Sequence, residues 1–397
     1  MPFLKSGVLS YAKLRGSLAQ VGADADPYQL QTVYLGQPTK FGSRPQVTLD
    51  NSQKDPNLKP EETKSGEVGL ELGFLDGRAS LDMSYYAKST RNQIVNLTVS
   101  PASGFQSQVA NLGRIDNKGF EALLDVTPIR TAGGFQWNTT FNYSQNKSKV
   151  VSLAPGIDTY VIYSDWYQNL EARVGQPYGV IYGYTYLRDG AGNLLLHNGL
   201  PQLGDQAVIG SVQPKWVGGW NNDFRFGPAQ LSFLFDFHKG GKIFSVTNMW
   251  GDYTGIFKNS LVGRQVDWNN PGLVVKGTDD ANCGTDPKCA AGTPNVTRVT
   301  AEQYWESLYY NAEQYTYDDS FVKLRNLRFG IDLPSVFASK LHASSVNIAL
   351  IGNNLWTSTK VPNIDPEFSY GTGNAQGFEF ATIPNTKSIG LNLRIVP

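Results

Sequence analysis

Hydrophobic and polar residues alternate with period two in one segment after another of this 397-residue chain. One hairpin shows the pattern. Val68, Leu70, Leu72 and Phe74 alternate with Glu67, Gly69, Glu71 and Gly73. After a turn on Leu75-Asp76-Gly77, Ala79, Leu81, Met83 and Tyr85 alternate with Ser80, Asp82, Ser84 and Tyr86. Successive side chains of a strand point to opposite faces, so each segment presents one apolar and one polar surface. The pattern predicts ten strands, over 10–21, 65–74, 78–88, 117–127, 134–145, 214–226, 229–239, 319–333, 344–352 and 386–395. Most are close to the roughly 9–11 residues that carry a tilted strand across a bilayer.

The connections alternate as well. Leu75–Gly77, Pro128–Gly133, Gly227–Pro228 and Pro334–Leu341 are short, whereas 22–64, 89–116, 146–213, 240–318 and 353–385 are long. A soluble sandwich has no reason to segregate loop lengths onto opposite edges. An outer-membrane barrel does, with short periplasmic turns and longer extracellular loops, its apolar face meeting lipid and its polar face an aqueous lumen. Val180–Tyr186 could extend the count but reads as structured loop. Trp137, Trp216 and Trp220 fall on the apolar faces and read as lipid-facing girdle residues.

Composition agrees with this picture. Aromatic residues make up 12% of the chain and glycine is plentiful, as a turn-rich β-protein requires. Acidic and basic residues balance at 34 each, which gives no support to a nucleic-acid partner. No run approaches the roughly 18 apolar residues of a membrane helix. The opening Met1-Pro2-Phe3-Leu4-Lys5-Ser6 has no hydrophobic signal region, and ten strands with a lipid-facing side leave two open edges unless the sheet closes. The expectation is therefore the last part of a larger barrel. Cys283 and Cys289 bracket a polar Gly/Asp/Pro turn and suit a loop-pinning disulfide.

No catalytic or metal-binding constellation stands out. His197, His238 and His342 are far apart and read as solvated loop or lumen positions. Asp279-Asp280 and Asp318-Asp319 read as solvated turns. The long loops are rich in aromatics. One group holds Tyr160, Tyr163, Trp166 and Tyr167; another holds Trp250, Tyr253, Trp268, Tyr304, Trp305, Tyr309, Tyr310, Tyr315 and Tyr317. Aromatic faces beside amides and carboxylates suit sugars or peptides, and they suit a protein partner equally. The candidates for such contact are Tyr163, Trp166, Tyr167, Trp250, Tyr253, Trp268, Trp305, Tyr309 and Tyr310.

A family resemblance rests on several motifs in order: Leu14-Arg15-Gly16-Ser17 with Gln20-Val21-Gly22; Asn57-Leu58-Lys59-Pro60-Glu61 running into Glu67-Val68-Gly69-Leu70; and Asn111-Leu112-Gly113 with Asn117-Lys118-Gly119-Phe120-Glu121. Further on come Pro214-Lys215-Trp216, Phe321-Val322-Lys323-Leu324-Arg325-Asn326, Gly352-Asn353-Asn354-Leu355, Asp365-Pro366-Glu367 and Pro384-Asn385-Thr386-Lys387-Ser388. The chain resembles the C-terminal portion of SusC/RagA-type TonB-dependent outer-membrane transporters. That resemblance implies an all-β, antiparallel transmembrane barrel segment, about ten strands of a barrel of about 22 whose lumen is filled by a plug domain absent here. It implies import of oligosaccharides or peptides across the outer membrane of a Gram-negative bacterium, with a SusD-like surface lipoprotein capping the loops and the TonB complex pulling on the plug. No enzyme activity and no cofactor are expected. The ending Arg394-Ile395-Val396-Pro397 departs from the family's terminal aromatic residue, which puts independent insertion in question. The alternatives are a self-contained porin-like barrel for passive diffusion and a soluble all-β carbohydrate-binding or hydrolytic domain.

Overall fold

The computed structural model describes residues 8–264, 272–279, 293–369, 373 and 376–397. Ten strands pair in one antiparallel sheet in strict chain order: β1 Leu9–Ala23, β2 Glu61–Phe74, β3 Ala79–Arg91, β4 Arg114–Arg130, β5 Phe135–Ser152, β6 Trp216–Phe226, β7 Ala229–Lys239, β8 Phe321–Asp332, β9 Ser345–Thr359 and β10 Ser388–Val396. They are the ten strands that the alternation predicts: β1 to β5 and β9 run longer than the pattern, β7 matches it, and β6, β8 and β10 are slightly shorter. Val180–Tyr186 is a strand after all, but it pairs with Gln168–Arg173 and Leu203–Ser211 in a separate four-stranded sheet. It therefore leaves the count of ten unchanged. The other short strands form small sheets within the long connections.

Two compact units divide the chain: Met1–Ala122, Ser144–Tyr160 and Ala172–Tyr178 in the first, and Leu123–Tyr143, Val161–Glu171 and Gly179–Pro397 in the second. In the first unit the pairing places side chains of like polarity on one face. Leu14 pairs with Leu70 and Leu70 with Met83, while Lys13 pairs with Glu71 and Glu71 with Asp82. On the polar face the Arg15 guanidinium lies over Gly69 to reach Asp82 at 2.7 Å. A Cβ at residue 69 would stand 2.4 Å from Arg15 Nε, so glycine is the residue that lets this arginine cross the strand. Gly119 in the same way accommodates the ring of Tyr86.

In the second unit the apolar face is an aromatic ladder. Trp137 stacks on Phe224 at 5.6 Å, Trp220 on Phe235 at 6.2 Å, and Trp216 meets Tyr143 at 5.7 Å. The indole N–H of Trp137 donates to Asn222 Oδ1 at 3.0 Å and that of Trp220 to Thr139 Oγ1 at 2.9 Å. Rings whose one polar atom is bonded internally can face hydrocarbon without a desolvation cost. On the polar face, two separated sequence motifs converge. The buried Lys323 ammonium of β8 contacts Asp365 and donates to Glu367 at 2.6 Å, and Arg325 joins Glu367 to Asp236 of β7. Three carboxylates and two cations thus tie the 360–387 connection to the sheet.

Two readings of the acidic and histidine positions need correction. His238 is not simply solvated: its ring stacks on Phe321 at 5.0 Å and Nδ1 lies 2.8 Å from the Asp319 carbonyl. Asp279 is buried in a short strand, where its carboxylate accepts from the Gly199 N–H at 3.0 Å. Asp319 is also largely enclosed, and burial followed by the neighbouring Asp318 pushes its carboxyl up to about 8. Neither aspartate belongs to a solvated turn.

Candidate functional site

The long connections of the second unit fold into a core of their own. Leu170, Ile181, Phe244, Val246, Met249, Ala301, Trp305, Leu308, Ala312, Tyr315 and Phe378 are buried together. Two short helices enter it. α1, Val246–Tyr253, is capped by Ser245 Oγ, which accepts from the Asn248 N–H at 3.0 Å. α2, Ala301–Ser307, begins with a reciprocal capping box between Thr300 and Gln303. Both caps satisfy backbone donors that a helix start leaves unpaired.

The start of α1 is held by a fully buried carboxylate. Glu379 accepts from Ser245 Oγ at 2.8 Å, Thr247 Oγ1 at 2.6 Å and Thr382 Oγ1 at 3.1 Å. This brings the 376–383 stretch against the helix that carries Trp250 and Tyr253. A hairpin, Thr159–Asp165 with Gln168–Arg173, supplies the next two rings at its two-residue turn. Trp166 there has φ of 50°, the left-handed region that glycine and asparagine normally occupy. The backbone strain of a bulky residue at this position is maintained by its contacts.

Those contacts form the site. Trp166 meets Trp250 at 5.4 Å, Tyr309 at 6.4 Å and Phe380 at 6.2 Å, each edge to face. Tyr167 meets Tyr310 at 4.3 Å and Tyr309 at 6.1 Å. Tyr253 closes the group on Trp250 at 5.7 Å and Tyr309 at 5.0 Å. Seven rings from four separate stretches make one platform, of which Trp166, Tyr167, Tyr253, Tyr310 and Phe380 are each at least 40% exposed. Edge-to-face packing leaves ring faces open to a further apolar surface while fixing the rings themselves.

Six of the nine aromatic candidates therefore come together: Trp166, Tyr167, Trp250, Tyr253, Tyr309 and Tyr310. Two do not belong to the platform's exposed surface. Tyr163 packs edge-on against the buried Phe378 at 5.6 Å, and Trp305 is buried in the core beneath. Trp268, Cys283 and Cys289 lie outside the described residues. Phe380 was missed; the period-two spacing from buried Phe378 to exposed Phe380 is the signal that could have found it.

Beneath the platform, α1 also carries Asp252, fully buried, whose Oδ1 accepts from Asn259 Nδ2 at 2.5 Å. Burial pushes this carboxyl up to about 6 against the lowering effect of Asn259. The folded state thus holds the proton more tightly than the unfolded chain. Its stabilising contribution is complete below about pH 4, the ordinary range, and is lost as pH rises through about 6. The replacement Asp252→Asn keeps the Asn259 bond and removes the titration. It is expected to flatten the pH dependence of loop stability and to stabilise neutral-pH protein by up to about 3 kcal/mol. Tryptophan-fluorescence unfolding of the receptor on either side of pH 6 measures this.

Comparison with known proteins agrees with the fold. The sequence profile of the family described as TonB dependent receptor-like, beta-barrel matches residues 9–275. TonB-dependent receptor P3 of Formosa agariphila is 29% identical over 382 residues, a stretch covering 88% of this chain and 35% of that receptor. TonB-dependent receptor SusC of Bacteroides thetaiotaomicron is 30% identical over 112 residues, 28% of this chain and 11% of that receptor. Among solved structures, the RagAB peptide transporter superposes with a TM-score of 0.74 at 18% identity, over 99% of this chain and 42% of that one. The chain spans 35% to 41% of the length of the first three relatives. From the sheet, the motifs and the profile match together, the chain belongs to the TonB-dependent receptor β-barrel family of the outer membrane.

Proposed function

We propose that these residues form sheet and loops of a TonB-dependent importer for oligosaccharides or peptides, with the aromatic platform as a ligand-contact surface. The observation that carries the reading is the convergence of seven rings from four separate stretches onto one exposed surface, with Trp166 presented at a left-handed hairpin turn. The long-loop edge faces outwards in this reading, and a SusD-like lipoprotein delivers ligand to it. The TonB complex supplies energy through a plug region that lies outside these residues. The protein's part is recognition and passage, and no bond in the ligand is broken.

The test uses the full-length receptor carrying Trp166→Ala with Tyr310→Ala, two exposed rings whose loss leaves the loop core intact. Retention of labelled linear oligosaccharides and of mixed-sequence peptides is expected to fall about tenfold for one of the two classes. Unchanged retention of both would remove the platform from ligand binding. Loss of a co-purifying lipoprotein with ligand retention intact would assign the platform to the partner instead and overturn its ligand role.

A further inference from the structure

The first unit carries a second site, on the opposite side of the sheet from Arg15 and Glu71. In-register rows across β1, β2 and β3 define it. Ala12-Leu72-Leu81 and Leu14-Leu70-Met83 are apolar, and towards the long-loop edge they give way to Leu18-Gly66-Ala87. The next row is polar, Gln20-Lys64-Ser89, and Gly22-Glu62-Arg91 follows it at the edge. Small residues at 66 and 87 beside the long Leu18 leave a depression, and a groove of about 600 Å³ opens there, lined by the Leu18 and Gln20 rows and by the start of β4, with the two apolar rows adjoining it.

Charge is concentrated at one end of the groove. Arg114 is neutralised by Asp116 through two bonds of 2.7 Å. Lys64 contacts Glu62 at 3.0 Å and stays exposed. Lys118 is exposed and has no ion-pair partner among the described residues. The lining holds Lys64, Lys88, Arg114 and Lys118 against Asp116, with Glu62 beside Lys64, so it is net positive at its polar end, while Leu18, Gly66 and Ala87 make its other end apolar. Leu18 itself, on the edge strand β1, is 92% exposed.

We infer that this groove binds the phosphate-bearing head group of a membrane lipid, with an acyl chain on the apolar rows and Lys64 and Lys118 on the phosphate. The inference rests on the reading that the long-loop edge faces outwards and the apolar face meets lipid. A groove with apolar residues on one side and lysines on the other, at the boundary of an apolar belt, matches an amphiphile with an anionic head. A soluble anion would use the lysines and leave the apolar rows empty.

The experiment compares full-length receptor with two variants, Lys64→Gln/Lys118→Gln and Gly66→Leu. The first removes charge from exposed positions; the second fills the floor, where Leu18 Cδ2 already stands 3.2 Å from a Cβ at residue 66. Retention is measured on vesicles containing bisphosphorylated lipid A, on vesicles containing its dephosphorylated form, and in competition with inorganic phosphate. Binding is expected to require the lipid phosphate, to fall about fivefold for each lysine lost, to weaken in Gly66→Leu, and to resist inorganic phosphate. Equal retention of dephosphorylated lipid, or an unaffected double lysine variant, would overturn the site. An effect of the lysines without one of Gly66→Leu would reduce it to unspecific surface charge and overturn the groove. Heat-modifiable mobility of the wild type separates these outcomes from failure of the barrel reading, because its loss would strike that reading first.

Discussion

Replacing Lys323 with methionine is expected to destabilise the receptor by about 3–5 kcal/mol, because it strands the largely enclosed Asp365 carboxylate that the ammonium now neutralises. Lys323 is 1% exposed, and its partners Asp365 and Glu367 are themselves mostly enclosed, so water cannot replace the lost cation cheaply. Arg325 stays on Glu367 and Asp236, but Asp365 keeps only backbone donors, from Glu367 at 3.1 Å and Asn385 at 3.3 Å. The expected readout is faster hydrogen exchange over residues 376–387 and a lower denaturation midpoint for the full-length receptor. Adding Asp365→Asn to the variant should recover a substantial part of the loss, since the amide carries no stranded charge. Failure to recover would mean that the lysine stem, not its charge, stabilises the contact.

Truncating Trp305 to alanine should cost a comparable amount, about 3–5 kcal/mol, through cavity formation in the loop core. The ring is 8% exposed, packs with Ala301, Leu308 and their neighbours, and donates through Nε1 to the Val262 carbonyl at 3.4 Å. Nothing on the platform's surface is removed by this change. Ligand retention should nevertheless fall, because Trp250 and Tyr309 lose the support below them. The comparison with Trp166→Ala/Tyr310→Ala is diagnostic. The surface pair should lower retention with little change in the unfolding midpoint, and Trp305→Ala should lower both. Equal midpoints for Trp305→Ala and wild type would contradict the placement of this ring in the core.

The two predictions share a physical basis. In each, residues far apart in sequence meet in a site whose polar or apolar contacts are satisfied only by the fold. Removing one member exposes the others to an environment they were not selected for, and the cost follows from burial. The Asp252 titration beneath the platform is the same effect in milder form, since a proton can neutralise a carboxylate that lacks a cation.

By itself, the sequence determined the ten strands, their order and the two faces of the sheet. Those properties are local: period two is written residue by residue, and short turns such as Leu75–Gly77 force neighbours in sequence to become neighbours in space. The motifs Phe321–Asn326 and Asp365–Glu367 were visible too, but not that Lys323 and Arg325 would join them. Which loop aromatics form a surface was decided only by tertiary structure. Trp305 and Tyr310 are five residues apart and equally amphipathic, yet one lies in the core and the other at 43% exposure. An aromatic ring has the same local signature in either role, and burial depends on what arrives from 159–173, 246–253 and 376–380. The same holds for Asp319 and Asp252. Their charge is plain in the sequence, but the enclosure that raises their affinity for a proton exists only once distant segments have packed around them.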